Sequence, residues 1–325
     1  MLFTRIRLYR TLLTALFLAR CAYAQAQLSE RCSKLREEIL VSVNRNKLAE
    51  SERLMTGLVE SKDVQAEPLC LANILHELAN IQLLTGKPAN AASLEERALK
   101  IYDSLTAPDD PVRLLPAHIL WSAYARQRMT TKMHTVVQIA ERINARTKRE
   151  QAIRFAILAD QAFKDGDDTN ALQLYRSAIA SFEAAGLGNS VAMSAQLCNL
   201  SDVYLKLNRL AQADSLLQQA ASIVAVAPGA IPFDIVRIYN EWGVTNAQLG
   251  RWEPARLHLA HAIDLMANEE FDPAFQKAIL CNYAYILKKL KLRSDAHQTA
   301  KRAARISTPE ISNALIDMED LKKGR

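Results

Sequence analysis

Bulky and small apolar residues recur in a fixed order along the chain, most clearly from Tyr239-Asn240-Glu241-Trp242-Gly243 through Leu249-Gly250-Arg251 to Ala255 and Ala262. The order returns at Leu197 to Tyr204 with Asn208, Ala213 and Ala220, at Phe155 to Ala162 with Gly166, Ala171 and Ala178, and at Leu280 to Tyr285 with Ala296 and Ala303. Ala171 and Ala213 lie 42 residues apart, as do Ala213 and Ala255, and Ala296 follows Ala255 by 41; the second alanine always trails the first by seven. Such a spacing predicts a helix, a turn and a reversed helix per unit, with the small residues where two backbones approach. Leu158-Ala159, Leu200-Ser201, Trp242-Gly243 and Tyr283-Ala284 are the bulky-then-small pairs of successive first helices. Gly166, Asn208 and Gly250 tolerate the left-handed backbone a tight turn needs. Lys291 stands at the equivalent place, which predicts a less regular last turn.

Weaker copies precede these units. Leu75-His76-Glu77-Leu78-Ala79, Gly86, Pro88, Ala91 and Ala98 form one, in which Gly86 suits a helix end and Pro88 a helix start. Asp109-Asp110-Pro111 starts another, Leu114 to Arg128 and Thr131 to Arg146, with Trp121-Ser122 at its crossing and Met133 or His134 where an alanine is expected. The expected organisation is an N-terminal helix pair over 28–66 and a repeat array over 68–306. Its units lie near 72–105, 112–147, 152–185, 194–227, 236–269 and 277–306, and a capping helix with a frayed tail follows over 307–325. Half the residues are apolar and Ala and Leu dominate them, with nine Gly and ten Pro in the whole chain, so helix is expected throughout. Each unit buries its apolar face only against its neighbours, so length does not count domains here.

The start of the chain changes how the charge is read. Arg5, Arg7 and Arg10, an apolar run from Thr11 to Ala19 and the small-x-small Ala22-Tyr23-Ala24 have the form of an export signal cleaved after Ala24. The run is short of the about 20 apolar residues that span a bilayer, so no transmembrane segment is expected after cleavage. Loss of residues 1–24 removes four arginines and no acid, taking the formal charge from +6 to +2. Four cysteines then remain. Cys198 and Cys281 sit two units apart; export would permit Cys32 and Cys70 to pair, although buried free thiols in helix seams are the expected state of all four.

These columns resemble the tetratricopeptide repeat, a helix-turn-helix of about 34 residues, and the longer period is similar to the variety found in kinesin light chains and many bacterial repeat proteins. The resemblance covers 153–306 well and 72–105 moderately. It implies an all-α, right-handed solenoid of antiparallel helix pairs whose first helices line a concave groove for a peptide or protein partner. The face opposite the packed stripe then carries Asn199, Asp202, Lys206, Arg237, Asn240, Gln248, Asn282, Tyr285 and Lys289. An amide can both donate to and accept from an extended backbone, so the asparagines suit that work. The alternative is that they cap or bridge neighbouring helices.

Little else in the chain carries chemistry. His258 and His261 are three apart with no third ligand at useful spacing, His76-Glu77 lacks the second histidine of a zinc-protease helix, and there is neither a phosphate loop nor a nucleophile elbow. Trp242 is expected to fill the crossing beside Gly243, and Trp252 to sit in a turn. Lys288, Lys289, Lys291, Arg293, Lys301, Arg302 and Arg305 form a basic run relieved by Asp295, read as a solvated face. The expectation is an exported, non-catalytic scaffold without cofactor or metal and without nucleic acid as partner. The alternatives are an envelope-assembly subunit docking through its convex face or ends, and a metal protein using His258 and His261.

Overall fold

The computed structural model describes residues 48–267 and 271–307, together with Cys32, Lys34 and Leu35. The export segment, the helix expected from Leu28 to Val43 and the capping helix from 308 onward lie outside the described residues. Helix α1 (Leu48–Glu60) and the short α2 (Lys62–Gln65) lead into six antiparallel pairs: α3 (Pro68–Leu84) with α4 (Pro88–Leu105), α5 (Leu114–Arg126) with α6 (Thr130–Arg142), α7 (Lys148–Asp165) with α8 (Asp168–Ala184), α9 (Val191–Lys206) with α10 (Leu210–Val224), α11 (Pro232–Gln248) with α12 (Trp252–Met266), and α13 (Pro273–Lys289) with α14 (Arg293–Ala304). Pairs stack in chain order, and no strand occurs among the described residues.

The repeated markers act where helices meet. Ala91, Ala98, Ala140, Ala171, Ala178, Ala213, Ala220, Ala255 and Ala262 are all fully buried. Gly243 shows why the column must be small: a Cβ there would lie 2.7 Å from Leu259 Cγ and 3.2 Å from the Ala255 carbonyl. Leu259, not Trp242, therefore fills that crossing. Trp242 turns outward, stacks on His258 with ring centroids 3.8 Å apart and donates from Nε1 to Asp214 at 2.8 Å. Trp252, expected in a turn, is the half-buried first residue of α12. In the degenerate unit Met133 takes the alanine place and is fully buried.

One turn serves all six pairs. Gly86, Arg128, Gly166, Asn208, Gly250 and Lys291 have φ from +55° to +84°. After each, the next backbone N–H reaches the carbonyl five residues back at 2.7–3.0 Å, the Schellman closure of a helix end. Lys291 thus makes the regular turn, contrary to expectation, because the two hydrogen bonds hold a left-handed residue in place against its steric cost. Helix starts use local caps: Asp110 accepts from Val112 N at 2.9 Å before a 3-10 turn over Pro111–Arg113, and Thr147 and Glu150 form a reciprocal capping box.

The cysteines depart from the expectation of four buried thiols. Cys32 and Cys70 form a disulfide with Cα atoms 5.7 Å apart, tying the segment before α1 to α3; Cys198 is buried and Cys281 is exposed.

Two measurements follow from these contacts. Lys291→Gly should raise stability by about 1 kcal/mol in urea unfolding, since glycine carries no penalty at positive φ. Between α3 and α4 the fully buried Glu95 meets His76 Nδ1 at 2.6 Å. Burial, opposed by the imidazole, raises the Glu95 carboxyl from 4.5 to about 7. The native state then keeps a proton the unfolded chain has released, so this stability is present below pH 4.5 and is lost as pH rises through about 7, by roughly 3 kcal/mol at most. Glu95→Gln should flatten the fall in melting temperature over that window.

Candidate binding face

A chain of polar side chains crosses the first helices. It begins on α5, where His118 Nε2 lies 3.2 Å from Asp160 Oδ2 on α7. Asp160 Oδ1 accepts from the Tyr175 hydroxyl at 2.6 Å and from Asn199 Nδ2 of α9 at 3.3 Å. Asn199 Oδ1 in turn accepts from the Arg237 guanidinium of α11. Arg237 Nε donates to Glu241 Oε1 at 3.1 Å, one helical turn along, and the group lies 3.8 Å from Asp202 Oδ2. The Cys198 thiol donates to Glu241 Oε2 at 2.6 Å.

Electrostatics follow from this packing. The Glu241 side chain is 4% exposed, Asp202 17% and Arg237 25%. Burial, then the neighbouring Glu241, pushes the Asp202 carboxyl well above its usual range. Burial opposes the charge on Arg237, but the acidic groups packed against it, Glu241 among them, outweigh this and raise its pKa. Cys198 is pushed up by burial and then by Glu241, which holds it as a thiol; a thiol so placed is a poor nucleophile. Tyr175 is likewise pushed up, by burial and then by Asp160. The arrangement orders charge and hydrogen bonds along the face.

The nine residues singled out from the sequence fall into different places. Asn199, Asp202 and Arg237 belong to the network. Asn240 and Asn282 are 0% and 1% exposed, and Asn282 Nδ2 donates to Asn240 Oδ1 at 3.1 Å, so these two amides bridge α11 and α13. Lys206 is exposed and pairs with Asp168 at 2.6 Å. Gln248 Oε1 is buried and has no hydrogen-bond partner among the described residues. Lys289 lies over the rings of Trp252 and Tyr285, 5.6 and 5.4 Å from their centroids. His258 and His261 are spent on rings, His258 against Trp242 and His261 edge-on to Tyr239 at 4.5 Å, and no group of three potential metal ligands occurs among the described residues. None of the seven bases of the run from Lys288 to Arg305 makes an ion pair with a described residue.

Sequence reasoning missed His118, Asp160, Tyr175, Cys198 and Glu241. A signal was present for two of them. Asp160 precedes Asp202 by 42 residues, and Glu241, not Asn240, follows Asn199 by 42 and precedes Asn282 by 41. At α11 the face runs through Glu241, one residue beyond the Asn240 expected from the sequence. Two further residues had no local signal at all: Arg126, at the end of α5, donates to the Leu83 carbonyl at 2.7 Å and lies 3.4 Å from Asp272, 146 residues away.

No protein-family model matches the chain, and no curated protein matches it by sequence. Solved structures do. BtubC (BKLC) from P. vanneervenii is 18% identical with a TM-score of 0.53, over 70% of this chain and 96% of that one. A chain of the APC/C hetero-tetramer Cut9-Hcn1 is 15% identical with a TM-score of 0.60, over 97% of this chain and 52% of that one, so the present chain spans about half its length. At these identities the likeness concerns the fold. The chain has the tetratricopeptide-repeat fold: an all-α, right-handed solenoid of antiparallel helix pairs.

The network generates a test of its own. Arg237→Met strands Glu241 and Asp202 beside each other and should cost about 2–3 kcal/mol, the loss expected for one partner of a buried pair, discounted for the exposure of the arginine. Adding Glu241→Gln should recover much of it in a double-mutant cycle of urea unfolding.

Proposed function

We propose that this protein is a non-catalytic scaffold that captures a peptide or protein segment along its first helices, in the concave side of the solenoid. The observation that carries the reading is unmatched hydrogen-bonding capacity there. Asp202 Oδ1 on α9 and Gln248 Oε1 on α11 are buried and have no hydrogen-bond partner among the described residues. Buried polar atoms are nearly always satisfied, and an extended backbone offers the N–H donors these two oxygens lack. Tyr285 and Lys289 extend the same face at the last unit, where the ammonium lies over the rings of Trp252 and Tyr285.

Two further features support the wider reading. The Arg5 to Ala24 segment and the Cys32–Cys70 bond both suit a periplasmic or secreted location, because disulfides persist where the environment is oxidising. Assembly is also the context of one structural neighbour, the Cut9-Hcn1 hetero-tetramer. The second reading, an envelope-assembly subunit docking through its convex face or ends, has in its favour the bases of α13 and α14, which have no carboxylate partner among the described residues.

A crosslinking pull-down from the native envelope fraction separates the readings. Asp202→Asn combined with Gln248→Ala should reduce the captured partner roughly tenfold, the loss of about 1.4 kcal/mol, with helicity unchanged by circular dichroism. An unchanged capture would move the site off the first helices.

A further inference from the structure

The contact between Arg126 and Asp272 joins parts of the array that stacking in chain order keeps apart. Asp272 caps α13, its Oδ1 accepting from Ala274 N at 2.9 Å, while its Oδ2 lies 3.4 Å from Arg126 at the end of α5. The turn after α3 closes on the same carboxylate. A Cβ at Gly86 would stand 3.0 Å from Asp272 Cγ and 3.1 Å from Oδ1, whereas none of the other turn glycines, Gly166 or Gly250, has a neighbour nearer than 4.0 Å. Gly86 is therefore needed twice, for its positive φ and for this approach. The ends of the first two pairs' leading helices, α3 and α5, thus meet the beginning of the last pair, and the first helices face one another across the curl.

We propose that this contact is a latch that holds the solenoid closed across its first-helix side, and that the array opens when the latch is broken. Three features of the chain fit a latch better than a permanent joint. The contact is long, 3.4 Å against the about 2.7–2.9 Å of a strong charge-assisted hydrogen bond, so it is weak although both side chains are largely buried. Each partner keeps a second bond when parted, Arg126 to the Leu83 carbonyl and Asp272 to its own helix start, so separation strands neither group completely. Arg237, close enough to weigh on the charge of Arg126, adds a repulsion that favours parting. The latch concerns access to the face assigned above and rests on that reading only for its consequence in binding.

The test uses the full chain and two conservative variants, Arg126→Gln and Asp272→Asn, the latter keeping a side chain that caps a helix as well as aspartate does. Each is read on the opposite side of the contact: amide exchange at 272–276 for the first and at 83–88 for the second. Exchange should rise about fivefold, the change expected for loss of one long hydrogen bond, and the small-angle scattering radius of gyration should increase while helicity stays constant. Unchanged exchange and radius in both variants overturn the latch. Retention of a random twelve-residue peptide pool is then compared. Greater retention by the variants supports gating of the face. Expansion with no retention by any of the proteins leaves the latch standing and overturns the scaffold reading of the first helices.

Discussion

Every unit depends on a backbone approach that only a small side chain allows. Where α11 crosses α12, Leu259 occupies the space that any Cβ at residue 243 would need. The same constraint keeps the alanines of α4, α8, α10 and α12 at zero exposure. A close crossing brings many apolar atoms into contact at once, and dispersion gains are large only in sum. It also dictates the turn. Two helices packed this tightly must reverse within a few residues, and the left-handed residue with its five-back hydrogen bond does so in all six pairs. The chemistry of that residue varies from glycine to arginine, asparagine and lysine because the geometry, once imposed by the crossing, tolerates a modest local cost.

Between pairs the joints are of a different kind. Apolar contacts carry the stacking, but on one side of the first helices a polar chain runs from His118 through Asp160, Asn199 and Arg237 to Glu241. Polar joints are directional, so they set how far each unit rotates on the next, a role apolar packing performs loosely. Their burial has a consequence visible in Asp202 and Cys198, both driven towards their neutral forms. The face is thus tied together by hydrogen bonds over α9 and α11, whereas the bases of α13 and α14 have no carboxylate partner among the described residues.

Curvature connects these surfaces. Six units turn far enough for Asp272 to reach Arg126 and Gly86, so the interior is bounded by the chain's own first and last pairs. Small rotations per unit add up over an array, which makes such a contact sensitive to the geometry of every joint before it.

The periodic spacing by itself determined the architecture: the unit length, the helix-turn-helix order, the small-residue columns and most turn positions, down to Gly166, Asn208 and Gly250. Those features are local, set by a few adjacent contacts that repeat, and so they are written in residue type and distance along the chain. The side chains of the face were legible in part. Asn199, Asp202 and Arg237 could be found because their helix face follows from the columns, but a register taken one residue early put Asn240 where Glu241 stands, and one residue turns a helical side chain by about 100°. Only the tertiary structure decided that Asn240 and Asn282 bond each other, that Trp242 faces His258 while Leu259 fills the crossing, that Cys32 pairs with Cys70, and that Arg126 meets Asp272. Each of these depends on how far the stacked units rotate. That angle is the sum of many weak contacts, and no single stretch of sequence records it.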